Sequence, residues 1–433
     1  MAFRPPAMSL GTTVPSTTIP ADVPTDKPAP IPPAPAKKKS RWGRRLLWAA
    51  GGSTVGLAAL WIAIHEVPGF GPWIADTGRA ILGQAAVAWI EDTAYGIADD
   101  INQLRYKDEK PKTYWEEPTA APAVTAAPAP SASASSSASA SAAPAIEPPP
   151  AFDPPVPAVA TEADGKWIPV IDASGQPPAM WKALVHPDGK RGFAAVAIVA
   201  IDRKRIDLHL VAGKVEPSSN AVPMERRPAV VPDIHQAELV AAFNGGFKAQ
   251  HGHWGMMLEG ETYVAPRDVG CTIALMKDGS LRIGTWKDAL QPAEGDMKWY
   301  RQTPPCLVEN NETHKALESE YAKGWGAAVG GETVIRRSAL GIDAAGKYLY
   351  FGLGDALTAQ SLARAMKAAG AVNAAQLDVN YAYPRFLIYE REGTAAPKAK
   401  SAIIPDIKFR LAEYVGEASL RDFFYLTRHK DPS

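Results

Sequence analysis

The chain has 433 residues, and its 46 Lys plus Arg balance 46 Asp plus Glu, so no overall field favours nucleic acid. Of its 40 prolines, 24 fall in the first 160 residues. That asymmetry excludes one continuous globular fold: the front reads as tail, anchor and linker, and the back as one domain-sized block. The two cysteines, Cys271 and Cys306, make no zinc-spaced cluster; a disulfide and two buried thiols are equally open readings.

Residues 1–45 are expected to be a disordered cytoplasmic tail. They are rich in Pro, Ala and Thr and end in a basic flank, Lys37, Lys38, Lys39, Arg41, Arg44 and Arg45. Residues 46–64 carry no charge, and at roughly 1.5 Å per helical residue they span a bilayer core. The cations before the span place the tail in the cytoplasm and everything after it across the membrane, periplasmic if the cell is Gram-negative. Segment 66–106 has apolar residues at mixed three- and four-residue spacing, which predicts an amphipathic helical segment interrupted by acids. Residues 107–160 read as a Pro/Ala/Ser linker with a stiff proline end.

The domain proper is expected over 161–433, as an α+β fold with a mainly β core and few helices. Residues 194–201 and 206–212 are strand-like, with a charged turn between them. Residues 271–286 predict a hairpin around Asp278-Gly279, and 341–354 another with Gly346 in the turn. Residues 361–370 predict a helix with Thr358 as N-cap and Gly370 at its C-terminal end. Strands close the pattern at 371–379 and 421–429.

Four segments carry groups suited to chemistry. Asn244, Gly245 and Gly246 follow an apolar run, where two glycines permit a sharp turn or a close approach. His251 and His253, two apart, share one face if extended and could bind a metal or serve as acid and base, though two histidines are too few for a metal site alone. Arg337 opens a strand whose interior is apolar, a position that is costly for a cation without a partner. Asp378 closes an apolar strand, and Asn380, Tyr381, Tyr383 and Arg385 supply polar tips of the kind found around a sugar. None of these segments calls for a metal or a cofactor.

In order and spacing, NGGF, GMMLEG, KDGSLRIGTW, PCLVENNE, RSALGID and the helix SLARAMKAAGA running into LD resemble the phosphodiester glycosidase domain. The resemblance covers most of 165–430. It implies hydrolysis of the bond between an anomeric carbon and a phosphodiester oxygen. It also implies Asn244, Arg337 and Asp378 as catalytic residues beside Gly245 and Gly246; by their side chains, His251, His253, Asn380, Tyr381 and Tyr383 are expected to line the substrate. Val379, Asn380 and Tyr381 stand where that family has three glycines, and Ala382 where it has a serine. The expected function is a membrane-anchored extracytoplasmic glycosidase-like protein acting on a glycan or glycosyl-phosphate. The alternative is an inactive glycan-binding or envelope-organising protein on the same fold, using Tyr381, Tyr383 and Trp254. Arg337 is expected beside Asp378, holding its carboxyl ionised.

Overall fold

The computed structural model describes residues 148–318, 324–326, 334–379 and 382–429, with Ile74, Thr77, Ile81, Ile101, Leu104–Tyr106, Pro111 and Thr113–Trp115. The basic flank, the apolar stretch 46–64 and most of 66–106 and 107–147 lie outside the described residues. Among those described, no helix is long and apolar enough to cross a membrane.

Three antiparallel sheets build the domain, with strands numbered along the chain. The first has eight strands in the order β1 (Ile168–Val170), β2 (Met180–Val185), β3 (Val196–Asp202), β14 (Tyr348–Leu357), β13 (Ile335–Ile342), β15 (Asn373–Val379), β11 (Val308–Glu309) and β12 (Glu312–Thr313). The second runs β7 (Glu261–Val264), β6 (Met256–Leu258), β10 (Met297–Thr303), β8 (Cys271–Met276) and β9 (Leu281–Thr285). The third runs β17 (Lys398–Ala402), β16 (Phe386–Glu390), β5 (Leu239–Asn244), β18 (Phe423–Arg428) and β4 (Ile206–Val211). The α-helices of the described domain are α1 (Asp233–Gln236) and α2 (Ala359–Ala368).

Strand β3 explains the layering. Its seven residues are all buried, so both faces need cover. Val196, Ile198 and Ala200 face α2, joining Leu362, Ala363 and Met366. Ala197, Val199 and Ile201 face the other way, into a core shared with Phe243, Phe386 and Phe424 of the third sheet and Ile273 and Trp299 of the second. The period of two along one strand thus feeds two cores. Thr358 caps α2 by a reciprocal capping box with Ser361.

Both expected hairpins form: β8 pairs with β9 and β13 with β14, with Gly279 and Gly346 at positive φ in their turns. The charged turn 202–205 does something different. It carries the chain from β3 in the first sheet to β4 in the third, and Arg203 ties it down by donating to the carbonyls of Gly279 and Gly346. The two strand-like runs are neighbours in sequence but not in a sheet.

The stretch read as linker contributes anchors to the domain. The Tyr114 hydroxyl donates to Ala195 O at 3.0 Å from a buried position, and the Lys182 ammonium lies 4.3 Å over the Trp115 ring. At the proline end, Phe152 packs on Trp167 at 5.6 Å, and Trp167 Nε1 donates to Pro150 O. Of the two readings of the cysteines, the disulfide is the one formed: Cys271 of β8 joins Cys306, with Cα atoms 4.7 Å apart.

Candidate active site

Four strands bring an end to one place at the seam of the first and third sheets. Asn244 ends β5, Arg337 and Ser338 open β13, Asp378 lies one residue from the end of β15, and Asp422 immediately precedes β18. The Asp378 N–H donates to Gly245 O at 3.1 Å, which joins the two sheets by backbone. The Ser338 hydroxyl donates to Asp378 O at 3.2 Å and accepts from Asn244 Nδ2 at 2.9 Å.

The Asp378 carboxylate, in a residue 2% exposed, meets Arg421 Nη1 at 2.6 Å. Arg421 also donates from Nη2 to Gly246 O at 3.2 Å, and its guanidinium lies 4.4 Å over the Tyr383 ring. Its Nε is buried without a hydrogen-bond partner among the described residues. Burial pushes the Asp378 carboxyl up to about 6; Arg421 opposes that rise and Asp422 adds to it. Burial works against the Arg421 charge, but Asp378, Tyr383 and Asp422 outweigh it and hold the guanidinium above its usual range. Burial also drives the Tyr383 phenol well above its ordinary value.

A second ion pair lies beside the first. Arg301 of β10 and Asp422 are both fully buried, with Nε to Oδ2 at 2.8 Å and Nη2 to Oδ1 at 3.2 Å. Arg301 also donates to the carbonyls of Phe247, Trp254 and Gln302. Asp422 receives the N–H of Gly245 on its carbonyl, at 3.0 Å, and the N–H of Gly246 on Oδ2, at 2.8 Å.

The sequence-expected residues divide accordingly. Asn244, Gly245, Gly246 and Asp378 come together. Asn244 is fully buried, with Nδ2 donating to Ser338 Oγ and Gly245 O and Oδ1 accepting from Arg385 N, so its amide ties strands rather than facing a cleft. Arg337 is placed differently from the expectation. It is buried and donates to Leu357 O, Trp325 O and Gln376 Oε1, and burial pulls its pKa down to about 9. The cation paired with Asp378 is Arg421, and the net shift of Asp378 is upward, because desolvation outweighs the paired charge.

Tyr383 is half-buried under Arg421, with its hydroxyl donating to Asp422 O at 2.5 Å. Arg385 pairs with Glu413. His253 is exposed at φ +50°, and its N–H donates to Ala249 O. His251 is half-buried in the same loop, its N–H donating to Lys248 O. Trp254 is buried, with the Arg267 guanidinium 4.6 Å over its ring. Asn380 and Tyr381 lie outside the described residues.

Sequence reasoning missed Arg301, Ser338, Arg421 and Asp422. A signal existed for three of them. Arg301 sits among aromatics in MKWYRQT, and Arg421-Asp422 immediately precedes the apolar run 423–426; charges in such places demand partners.

Residues 237–378 match the phosphodiester glycosidase family. No curated protein matches the chain. Among solved structures, the zebrafish N-acetylglucosamine-1-phosphodiester alpha-N-acetylglucosaminidase catalytic domain, auto-inhibited by pro-peptide, is 15% identical with a TM-score of 0.38, covering 61% of this chain and 88% of that one. A hypothetical protein from Synechocystis is 11% identical with a TM-score of 0.34, covering 59% of this chain and 65% of that one. The matched segment runs from the approach to β5, through Asn244 and the two glycines, and stops on Asp378, and over that segment the chain is similar to the phosphodiester glycosidase family.

Proposed function

We propose that this chain is a membrane-anchored, extracytoplasmic hydrolase that cleaves the bond between a sugar's anomeric carbon and a phosphodiester oxygen in an envelope glycan or glycosyl-phosphate. The observation that carries this reading is the buried Asp378–Arg421 pair beside Gly245 and Gly246, at the end of the family segment. A leaving phosphate is already a stable anion, so the site chiefly needs a cation to hold it and a carboxylate at the anomeric carbon. Arg421 supplies the cation, with its Nε still to be satisfied. Asp378, with its carboxyl near 6, is ionised at neutral pH and accepts a proton from the attacking water. The C1–O bond breaks with its electron pair on the phosphate, giving a free sugar and a phosphomonoester. Direct attack by the carboxylate would instead give a glycosyl ester that water resolves, so retention of the anomer identifies that route and inversion the other.

The location rests on the six cations before the apolar stretch 46–64. The Cys271–Cys306 disulfide supports it, since such bonds persist in oxidising compartments. Reporters fused after residues 40 and 160 are expected on opposite sides of the membrane; finding both on one side overturns the topology.

Two observations favour the non-catalytic reading. Val379 and Ala382 replace family glycine and serine positions, and Asp378 is only 2% exposed. The deciding experiment presents the full-length protein with a panel of glycosyl phosphodiesters. Hydrolysis by wild type and its loss in Asp378→Asn support the enzyme. Glycan binding that survives Asp378→Asn, with no diester cleaved by wild type, makes the chain a binder.

A further inference from the structure

The Gly245–Gly246 pair is the part of the family segment most readily taken as a backbone cradle for phosphate, and its surroundings argue otherwise. Both glycine N–H groups already have an acceptor, and it is the same residue: Gly245 donates to Asp422 O and Gly246 to Asp422 Oδ2. A Cβ on Gly245 would overlap the Asp422 carboxylate and carbonyl. One on Gly246 would lie 2.7 Å from Arg301 Cζ. The segment lacks side chains because a buried ion pair occupies the space where they would go.

That ion pair is unusually complete. Arg301 directs its five N–H groups as follows: Nε and one Nη2 to Asp422, the other Nη2 to Phe247 O, and both Nη1 to Trp254 O and Gln302 O. The carbonyls of Phe247 and Trp254 are the two ends of the loop that carries His251 and His253, so one guanidinium closes the loop at its base. Asp422 accepts from Arg301, Gly245, Gly246 and Tyr383. Its chain neighbour is Arg421, which reaches Asp378, and the Tyr383 ring that hydrogen-bonds Asp422 O through its hydroxyl also lies against Arg421.

We propose that Arg301 and Asp422 are positioning residues for the site: their buried pair is the bed on which the Gly245–Gly246 segment lies, and it holds Arg421 on Asp378. Neither residue touches the place where a substrate would react; both act through Arg421 and the glycine loop. The inference rests on the proposed function only for what the site does, and its test does not need turnover.

The test combines a double-mutant cycle with a titration, on the full-length protein. Gly246→Ala is expected to lower the melting temperature by about 5 °C, as overpacking at a rigid contact does. In an Arg301→Lys background the same alanine is expected to cost about 1 °C or less, because the guanidinium it would strike is gone. An equal cost in both backgrounds overturns the bed. The positioning claim is read from the Asp378 carboxyl by carbon-detected NMR of aspartate-labelled protein, with Asp378→Asn identifying the resonance. Arg301→Lys is expected to raise its titration midpoint by about one unit, tenfold in proton affinity, as Arg421 loosens. An unmoved midpoint makes the pair merely structural and overturns the claim. Should Arg301→Lys not fold, Asp422→Asn replaces it, keeping the size while withdrawing the charge that holds Arg301 in place; because the Asp422 charge itself raises the Asp378 carboxyl, a midpoint that rises in Asp422→Asn supports positioning and one that falls overturns it. Wild type that cleaves no diester would sink the proposed function and leave this result standing.

Discussion

Two ion pairs lie side by side in this domain, built on consecutive residues, and they differ in how finished they are. In Arg301–Asp422 both side chains are fully buried, every guanidinium N–H is placed, and the carboxylate also serves a backbone amide. In Arg421–Asp378 the arginine side chain is 11% exposed, its Nε has no partner among the described residues, and the carboxyl is pushed up to about 6 by burial that the pairing does not offset. A buried charge with all its bonds made holds a fold; one left short of bonds keeps interaction energy available for a ligand. Under the proposed function the first pair belongs to architecture and the second to chemistry, and variants of each pair can break that assignment.

The largest effect is expected from Asp422→Ala. It leaves Arg301 fully buried without its counter-ion and removes the acceptor of the Gly246 amide, a loss of about 3–5 kcal/mol. Denaturation of wild type and variant measures it. A loss below about 1 kcal/mol would mean that the pair is held by its neighbours and not the reverse.

Arg421→Lys should act on turnover before it acts on the fold. A lysine is a point charge and cannot reach Asp378 and Gly246 O together while presenting a further donor. If Arg421 holds the leaving phosphate, turnover falls about 10²–10³-fold, the size seen when one donor to developing charge is removed. Steady-state kinetics on a glycosyl phosphodiester reads this. A fall of less than about tenfold would take the phosphate away from Arg421.

The raised Asp378 carboxyl has a signed consequence. Its folded value near 6 lies above the ordinary 3.8, so the native state binds this proton more tightly than the unfolded chain does. The contribution to stability is therefore fully present below about 3.8 and is lost as pH rises through about 6, by roughly 3 kcal/mol across the window. Melting curves of wild type and Asp378→Asn between pH 4 and 7 should diverge across that window and run parallel above it. Turnover moves oppositely, rising with pH through the same range because the base must be ionised. Parallel melting curves throughout would place the carboxyl back in its ordinary range.

Much of the fold was legible because its signals are local. The Asp278-Gly279 and Gly346 turns, the Thr358 cap and the apolar runs of β3, β15 and β18 each declare themselves within a few residues. The partners of the site were not legible, because they are set by how sheets meet. Asp378 lies on β15 of the first sheet and Arg421 two residues before β18 of the third, and nothing in either local pattern says which cation a strand-end aspartate will find. Residues 202–205 show the same limit: the charged turn between the two expected strands is there, but its residues are the same whether it makes a hairpin or changes sheet. Arg337 illustrates the other failure. A strand-opening arginine in an apolar strand does need acceptors, but carbonyls serve as well as a carboxylate.

Arg337→Lys is the smallest and sharpest of these tests. Arg337 gives Nε to Leu357 O at 2.9 Å, and Nη1 to Trp325 O at 2.5 Å and Gln376 Oε1 at 3.0 Å. Gln376 Nε2 donates to the same Trp325 carbonyl, so the pair pins Trp325 and, next to it, Gly326, whose missing Cβ would lie 2.6 Å from Val379 Cγ2. A lysine ammonium cannot span these acceptors, and about 1–2 kcal/mol of stability should go with the lost bonds. The Asp378 titration should stay where it is and turnover should hold within about threefold, because Leu357 O, Trp325 O and Gln376 Oε1, which the guanidinium bonds, are not groups of the Asp378–Arg421 pair. Arg421→Lys should do the reverse: it should move the titration and collapse turnover with a smaller change in melting temperature. If instead Arg337→Lys shifts the Asp378 midpoint, or costs turnover on the scale of Arg421→Lys, then the cation that serves the phosphate is the one opening β13, as its sequence position suggests, and the unfinished pair at Arg421 belongs to the fold.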